Sequence, residues 1–147
     1  KPSNQSKMKL YDKCRRELIR RIGIARPTAV IFRRINQIVV GWINYYRIGI
    51  MKIFMDNFGQ WLRHKIRVII LKQWKKPKRI YINLQKLNKK FSCHLTDEQI
   101  LSVANTRLGL YRQAYGYVIN FLLSPKVLAI KKKDRPGLVN PLNYYLS

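Results

Sequence analysis

The sequence predicts an all-α protein, a three-helix bundle over residues 1–76 followed by a smaller basic helical segment over residues 77–147. Three observations carry that expectation. Apolar residues recur at intervals of three and four through three long stretches, which is the spacing of one helix face. Gly23, Pro27, Gly49 and Pro77 punctuate the chain between those stretches. Hydrophobic residues make up 47% of the 147 and aromatics 12%, so a chain with a net charge of +25 still has enough apolar surface to form a core.

The first helix is expected from about Ser6 to Ile22. Tyr11, Cys14, Leu18 and Ile22 define its apolar stripe, while Lys9, Lys13, Arg16 and Arg20 form a row of cations opposite. Asp12–Arg16 and Glu17–Arg21 are acid-before-base pairs four apart, and Gly23 is the stop. The second helix, about Thr28 to Ile48, places Ile31, Ile35, Ile38, Trp42, Tyr45 and Tyr46 on one broad face. Gly41, in its interior, costs about 1 kcal/mol relative to Ala and so marks a close approach of something, such as another backbone. The third helix, about Phe54 to Lys75, turns Phe54, Phe58, Trp61, Leu62, Ile66 and Ile69 inward. Arg63, Arg67, Leu71 and Trp74 form a different stripe, which asks for a second contact with the rest of the chain or with RNA.

The run Lys75-Lys76-Pro77-Lys78-Arg79 breaks the third helix and is expected to be an exposed connection at the boundary between the two parts. Shorter helices follow over about Tyr81–Lys89, Thr96–Asn105, Arg112–Leu123 and Pro125–Lys132. Thr96-Asp97-Glu98-Gln99 has the pattern of a capping box. The Pro-, Gly- and Asn-rich tail from Asp134 to Ser147 is expected to be irregular, tied down by Phe121, Leu122, Leu123, Tyr144 and Tyr145.

The charge narrows the function. Residues 1–76 carry 19 basic and 3 acidic side chains and residues 77–147 carry 12 and 3, so both parts ask for a polyanion. By the surface scaling law a globule of this mass exposes roughly 8,000 Å², a density of cations that nucleic acid neutralises with counterion release. A membrane-surface helix bundle is a weaker candidate, because the second half is polar and punctuated and no apolar run is long enough to span a bilayer. Residues 1–7 lack the apolar core of a signal peptide, and a chain opening on Lys reads as part of a longer protein.

Catalytic chemistry is excluded by counting. Six carboxylates, Asp12, Glu17, Asp56, Asp97, Glu98 and Asp134, offer no Tyr-x-Asp-Asp turn for a two-metal centre, and the adjacent pair Asp97-Glu98 belongs to a helix start. Cys14 and Cys93 lie far apart, and His64 and His94 do not complete a zinc set with them. Both thiols read as small core or surface residues, and His64 as a surface residue.

The stretch Gly41-Trp42-Ile43-Asn44-Tyr45-Tyr46 is followed at a helix's distance by Trp61-Leu62-Arg63 and Leu71-Lys72-Gln73-Trp74-Lys75-Lys76-Pro77-Lys78. Together these resemble the maturase-specific region of group II intron-encoded proteins. Arg107-Leu108-Gly109-Leu110-Tyr111-Arg112 is similar to the Arg-x-Gly-aromatic-Trp-Arg element of that family, with Leu110 and Tyr111 departing from its aromatic and Trp and Leu108 standing where a base is common. The closing segment from Gly137 to Tyr145 resembles that of bacterial members. The resemblance implies the thumb, or domain X, of a reverse transcriptase, with a small DNA-binding segment after it. It implies binding of group II intron RNA to assist splicing, a grip on template–primer duplex, possible target-DNA contact and a place in retroelement mobility. It also implies a bacterial, cytoplasmic ribonucleoprotein whose fingers and palm lie outside this chain. Mg²⁺ is expected only in that polymerase part, and no cofactor is expected here.

Candidate RNA contacts are Arg15, Arg16, Arg20, Arg33, Asn44, Arg63, Arg67, Lys72, Trp74, Lys75 and Lys76, with Lys78, Arg79, Arg107 and Arg112 as candidates for DNA or RNA. Trp42, Tyr45, Phe58 and Trp61 sit on apolar stripes and are read as core instead of stacking platforms. Asn44 lies off the stripe, where a polar contact to RNA and a hydrogen bond to a neighbouring helix are both open. The alternative of another class is a ribosomal-type structural RNA-binding protein with no polymerase partner.

Overall fold

The computed structural model describes residues 2–19, 25–47, 49–106 and 109–147, the side chains of residues 110 and 111 apart. Among them it is all-α, with a single isolated β-bridge between Lys132 and Arg135. Helix α1 spans Asn4–Glu17, α2 Thr28–Tyr46, α3 Lys52–Trp74, α4 Pro77–Lys90 and α5 Asp97–Ala104. Four short helices follow: α6 Leu110–Gln113, α7 Tyr117–Leu122, α8 Pro125–Leu128 and α9 Pro141–Leu146. Helix α1 ends at Glu17 with Leu18 as its C-cap, short of the expected run to Ile22, because the Leu18 backbone leaves the helical region and its amide turns back to the Arg15 and Cys14 carbonyls; Arg21, Ile22, Gly23 and Ile48 themselves lie outside the described residues.

The first three helices close around aromatic rings. Tyr11 of α1 meets Phe54, Phe58 and Trp61 of α3 edge-on, and Trp42 of α2 lies 5.5 Å from Phe54 between centroids. Such ring pairs contribute about 0.5–1.5 kcal/mol each beyond the area they bury. Trp42 Nε1 donates to the Ser6 carbonyl, and the hydroxyls of Tyr46 and Ser6 share a hydrogen bond. Ser3 caps α1 by accepting from the Ser6 amide. Asp12 pairs with Arg15 rather than Arg16, and Glu17 reaches Arg26 and Arg34, so the expected four-residue pair at Asp12 is replaced by one of three. Burial, with Glu17 nearby, pushes the Cys14 thiol up to about 12.

Helix α2 departs from its expected stripe. Ile31, Phe32, Ile35, Val39 and Ile43 are buried, Trp42 and Tyr46 are half-buried, and Tyr45 is 80% exposed. Tyr45 is therefore not core: the helix is covered on two flanks by α1 and α9, and Tyr45 falls outside both. Gly41 is exposed, and a Cβ built there meets nothing within 4 Å, so no backbone of the described chain approaches it. Gly41→Ala should raise stability by about 0.5–1 kcal/mol in a urea melt, since it removes backbone entropy without a clash. A loss of stability there would mean that the position is crowded.

Helix α3 is the centre of the molecule. Its expected second stripe is not exposed: from Leu62 to Leu71 nearly every residue is buried, Arg63 at 9% and Arg67 at 7% exposure. Residues from the far half cover that face, α9 and α6 among them. His64, read from sequence as a surface residue, is buried with its ring stacked on Tyr115 at 3.6 Å. The apolar core continues without interruption across Lys76, through Ile80, Leu84, Ile100, Ile119 and Leu138.

Pro77 does break α3, but it also starts α4 at once, at the first helical position where a missing N–H costs nothing. The turn between them is tight. Lys75 takes φ 60° and ψ −71°, and the Lys76 amide donates to the Trp74 carbonyl at 2.8 Å, a strained γ-turn. The capping box at Thr96 and Gln99 forms as its spacing predicts. The single helix expected over Arg112–Leu123 is two short ones, interrupted before Gly116, which caps α7, and α8 stops at Leu128 instead of Lys132.

The tail is not irregular throughout. Asn140 caps α9, with Pro141 at its first position, and α9 docks on α3 and α2. Asn36 of α2 clasps the segment that leads to it, donating to the Gly137 carbonyl and accepting from the Val139 amide, both at 2.8 Å. Gly137 has no alternative here: a Cβ would lie 1.9 Å from the Ala129 carbonyl oxygen. Tyr145 donates to the Gly49 carbonyl and accepts from the Met51 amide, locking the turn between α2 and α3.

Candidate nucleic-acid interface

Three groups of cations reach the surface together. The one with the highest net charge lies at the α3–α4 turn. Lys75, Lys76, Lys78, Arg79 and Lys86 surround half-buried Trp74 and Asn83 and exposed Ile82 in an open groove of about 620 Å³. The strained turn projects Lys75 and Lys76, while Lys78, Arg79 and Lys86 follow from the first three turns of α4. No carboxylate lines this groove. Elsewhere Asp12 and Glu17 are held by arginines, Asp56 accepts from Gln60, and Asp97 accepts from Gln85 and Tyr81.

A second group joins Arg33 of α2 to Lys131, Lys132, Lys133 and Arg135, with the carboxylate of Asp134 among them. The third is a groove between α1 and α2, where Lys9 and Lys13 face Gln37, Gly41 and Tyr45. Arg15 and Arg16 are exposed on α1, with Arg15 paired to Asp12 and its guanidinium over the Tyr11 and Trp61 rings. Lys72 is half-buried and Arg112 is exposed on α6. Arg20 and Arg107 lie outside the described residues.

The structure thus gathers Trp74, Lys75, Lys76, Lys78 and Arg79 from the expected set and adds Lys86. It separates Arg63 and Arg67 from them. Arg67 Nε donates to the Leu123 carbonyl at 2.8 Å, and burial together with nearby Arg63 lowers its pKa to about 10. Burial likewise lowers that of Arg63. Arg67 links α3 to the far half, and neither buried arginine forms part of an exposed grip. Asn44 accepts a hydrogen bond from Tyr144, whose carbonyl accepts from Arg47, so the α2 polar face holds the tail. Lys86 and the Lys131–Lys133 run were visible as cations in the sequence, but only folding shows which other side chains they join.

Among the described residues no three His, Cys, Asp or Glu side chains gather into a metal site, and no helix is long and apolar enough to cross a membrane. Fold and surface together define a strongly cationic, all-helical protein with its largest charge concentration at one interhelical turn. The model of the group II intron, maturase-specific domain matches residues 7–89, from α1 nearly to the end of α4. The match covers more than half of the chain, and the chain belongs to that family, whose function is in group II intron splicing and whose domain is non-catalytic. No curated protein matches the chain.

Proposed function

We propose that this chain binds group II intron RNA through the groove at the α3–α4 turn and thereby assists splicing. The observation that carries this reading is the ring of five cations around Trp74 with no acid among them. Lys and Arg supply phosphate contacts, and the half-buried Trp74 indole among them supplies an aromatic surface on which an unpaired base can stack. Structured RNA offers both, in helices read by shape and in loops whose bases are free. The groove lies wholly within the part of the chain that matches the maturase family, which favours this reading over a ribosomal-type structural protein.

In the same reading the three-helix bundle is the thumb of a reverse transcriptase, gripping template–primer beside fingers and palm carried elsewhere in the polypeptide. Mg²⁺ belongs to that polymerase part. Target DNA would meet the second half, where Lys78 and Arg79 share the groove and Arg112 stands apart on α6.

The test is binding to a group II intron RNA and to an equally long unrelated structured RNA across a salt series. Log affinity should fall linearly with log salt for both. A preference for the intron that persists at high salt is the expected result. Equal affinities throughout would place specificity outside this chain, and no measurable RNA binding at low salt would refute the reading.

A further inference from the structure

Trp74, Asn83 and Lys86 also wall a second, more enclosed cavity of about 390 Å³, between α4 and the segment that runs from α7 to the Lys132–Arg135 bridge. Only part of it belongs to the stretch that the family match covers, because one wall, from Lys90 and Phe91 through Leu123 and Val127 to Lys132 and Arg135, follows residue 89. Its chemistry is two-sided. Trp74 and Phe91 present aromatic surface with aliphatic side chains between them, while Lys86, Lys90, Lys132 and Arg135 supply cations, and no carboxylate lines it.

The arginine makes the case specific. The Arg135 guanidinium sits 4.6 Å from the Phe32 ring centroid, and its Nη1 donates to the Thr28 hydroxyl at a long 3.4 Å. Its Nε is buried and has no hydrogen-bond partner among the described residues. Reciprocal backbone bonds between Lys132 and Arg135 hold the two cations in place. Burial and the neighbouring charges of Arg135 and Lys90 lower the pKa of Lys132, as expected where like charges converge. A folded chain keeps such a convergence more readily when an anion shares it.

We propose that this cavity takes a single nucleoside phosphate, with its base against Trp74 and Phe91 and its phosphate toward Lys86, Lys90, Lys132 and Arg135. The volume is at the lower end of small-molecule pockets, roughly 300–1,000 Å³, which suits one nucleotide. The chemistry is shared by two sources, a nucleotide extruded from bound RNA and a free nucleotide. Extrusion rests on the proposed RNA groove, since Trp74 and Lys86 line both spaces and a strand in the groove passes the cavity mouth.

The whole chain would be titrated with adenosine monophosphate and with inorganic phosphate, and with an RNA stem-loop carrying or lacking one bulged nucleotide. Val127→Trp fills the cavity, and Lys132→Glu reverses a cation on an exposed side chain that leaves the core untouched. Binding of the monophosphate above phosphate, and about a tenfold preference for the bulged stem, are expected, both weakened by either variant. Bulge preference without monophosphate binding supports the cavity with extruded RNA as its source, and the converse supports it with a free nucleotide. Phosphate binding as tightly as the monophosphate, or neither effect responding to the variants, would overturn the proposal. If both stems bind alike and the monophosphate does not bind, the cavity assignment fails and the RNA groove stands. If no stem binds while the monophosphate responds to both variants, the groove fails and the cavity stands.

Discussion

Arg67→Ala is expected to destabilise the fold by about 3 kcal/mol, measured by urea unfolding, with little direct effect on RNA contact. The Arg67 guanidinium is buried in α3 and donates from Nε to the carbonyl of Leu123, 56 residues along the chain. A hydrogen bond from a charged donor contributes about 1.5–3 kcal/mol, and truncation also removes the packing of a long aliphatic stem. The charge itself works the other way. Because its folded pKa is lowered to about 10 from 12.5, the folded state disfavours the proton, and this contribution to stability is present only above the unfolded value and lost as pH falls through about 10. At neutral pH burial of the charge is therefore a cost, which the bond to Leu123 offsets. Arg67→Met, which keeps much of the volume without the charge, should fall between wild type and Arg67→Ala. An alanine variant that melts like wild type but loses RNA affinity would show that the side chain works at the RNA and not in the fold.

Reversing two charges in the groove, Lys76→Glu with Arg79→Glu, is expected to lower affinity for structured RNA about a hundredfold near 0.1 M salt. The log–log salt slope should become shallower by about 2, one step for each lost phosphate contact. Both positions lie at the N-terminal end of α4, Lys76 as its cap residue. Acids there favour the helix dipole, so the loss should not come from unfolding. The comparison is Lys52→Glu with Lys126→Glu, two exposed cations outside the groove, which removes the same net charge. Equal losses from the two pairs would mean that bulk charge alone attracts RNA and that the groove has no special place.

The sequence by itself determined what depends on neighbours within a turn or two. The three long helices, the capping box at Thr96 and Gln99, the break at Pro77 and the Trp74–Arg79 cluster were all legible, because caps, periodicity and charge runs act over about four residues. The family motif from Gly41 to Lys78 was legible for the same reason. It is written in contiguous residues. The split of α6 from α7 and the helix at Pro141 were missed where short elements depend on what they dock against. Tertiary structure decided which surfaces remain open. Arg63 and Arg67 looked like an exposed grip because α3 has two faces and a periodicity does not say what covers the second. The cover comes from Leu123 and α9. Tyr45 is exposed, and Asn36 and Asn44 hold a tail about 100 residues away, through partners that no local pattern announces. Local preference fixes a helix and its faces, whereas burial of each face is settled by contacts between distant segments, and these residues took their roles from those contacts.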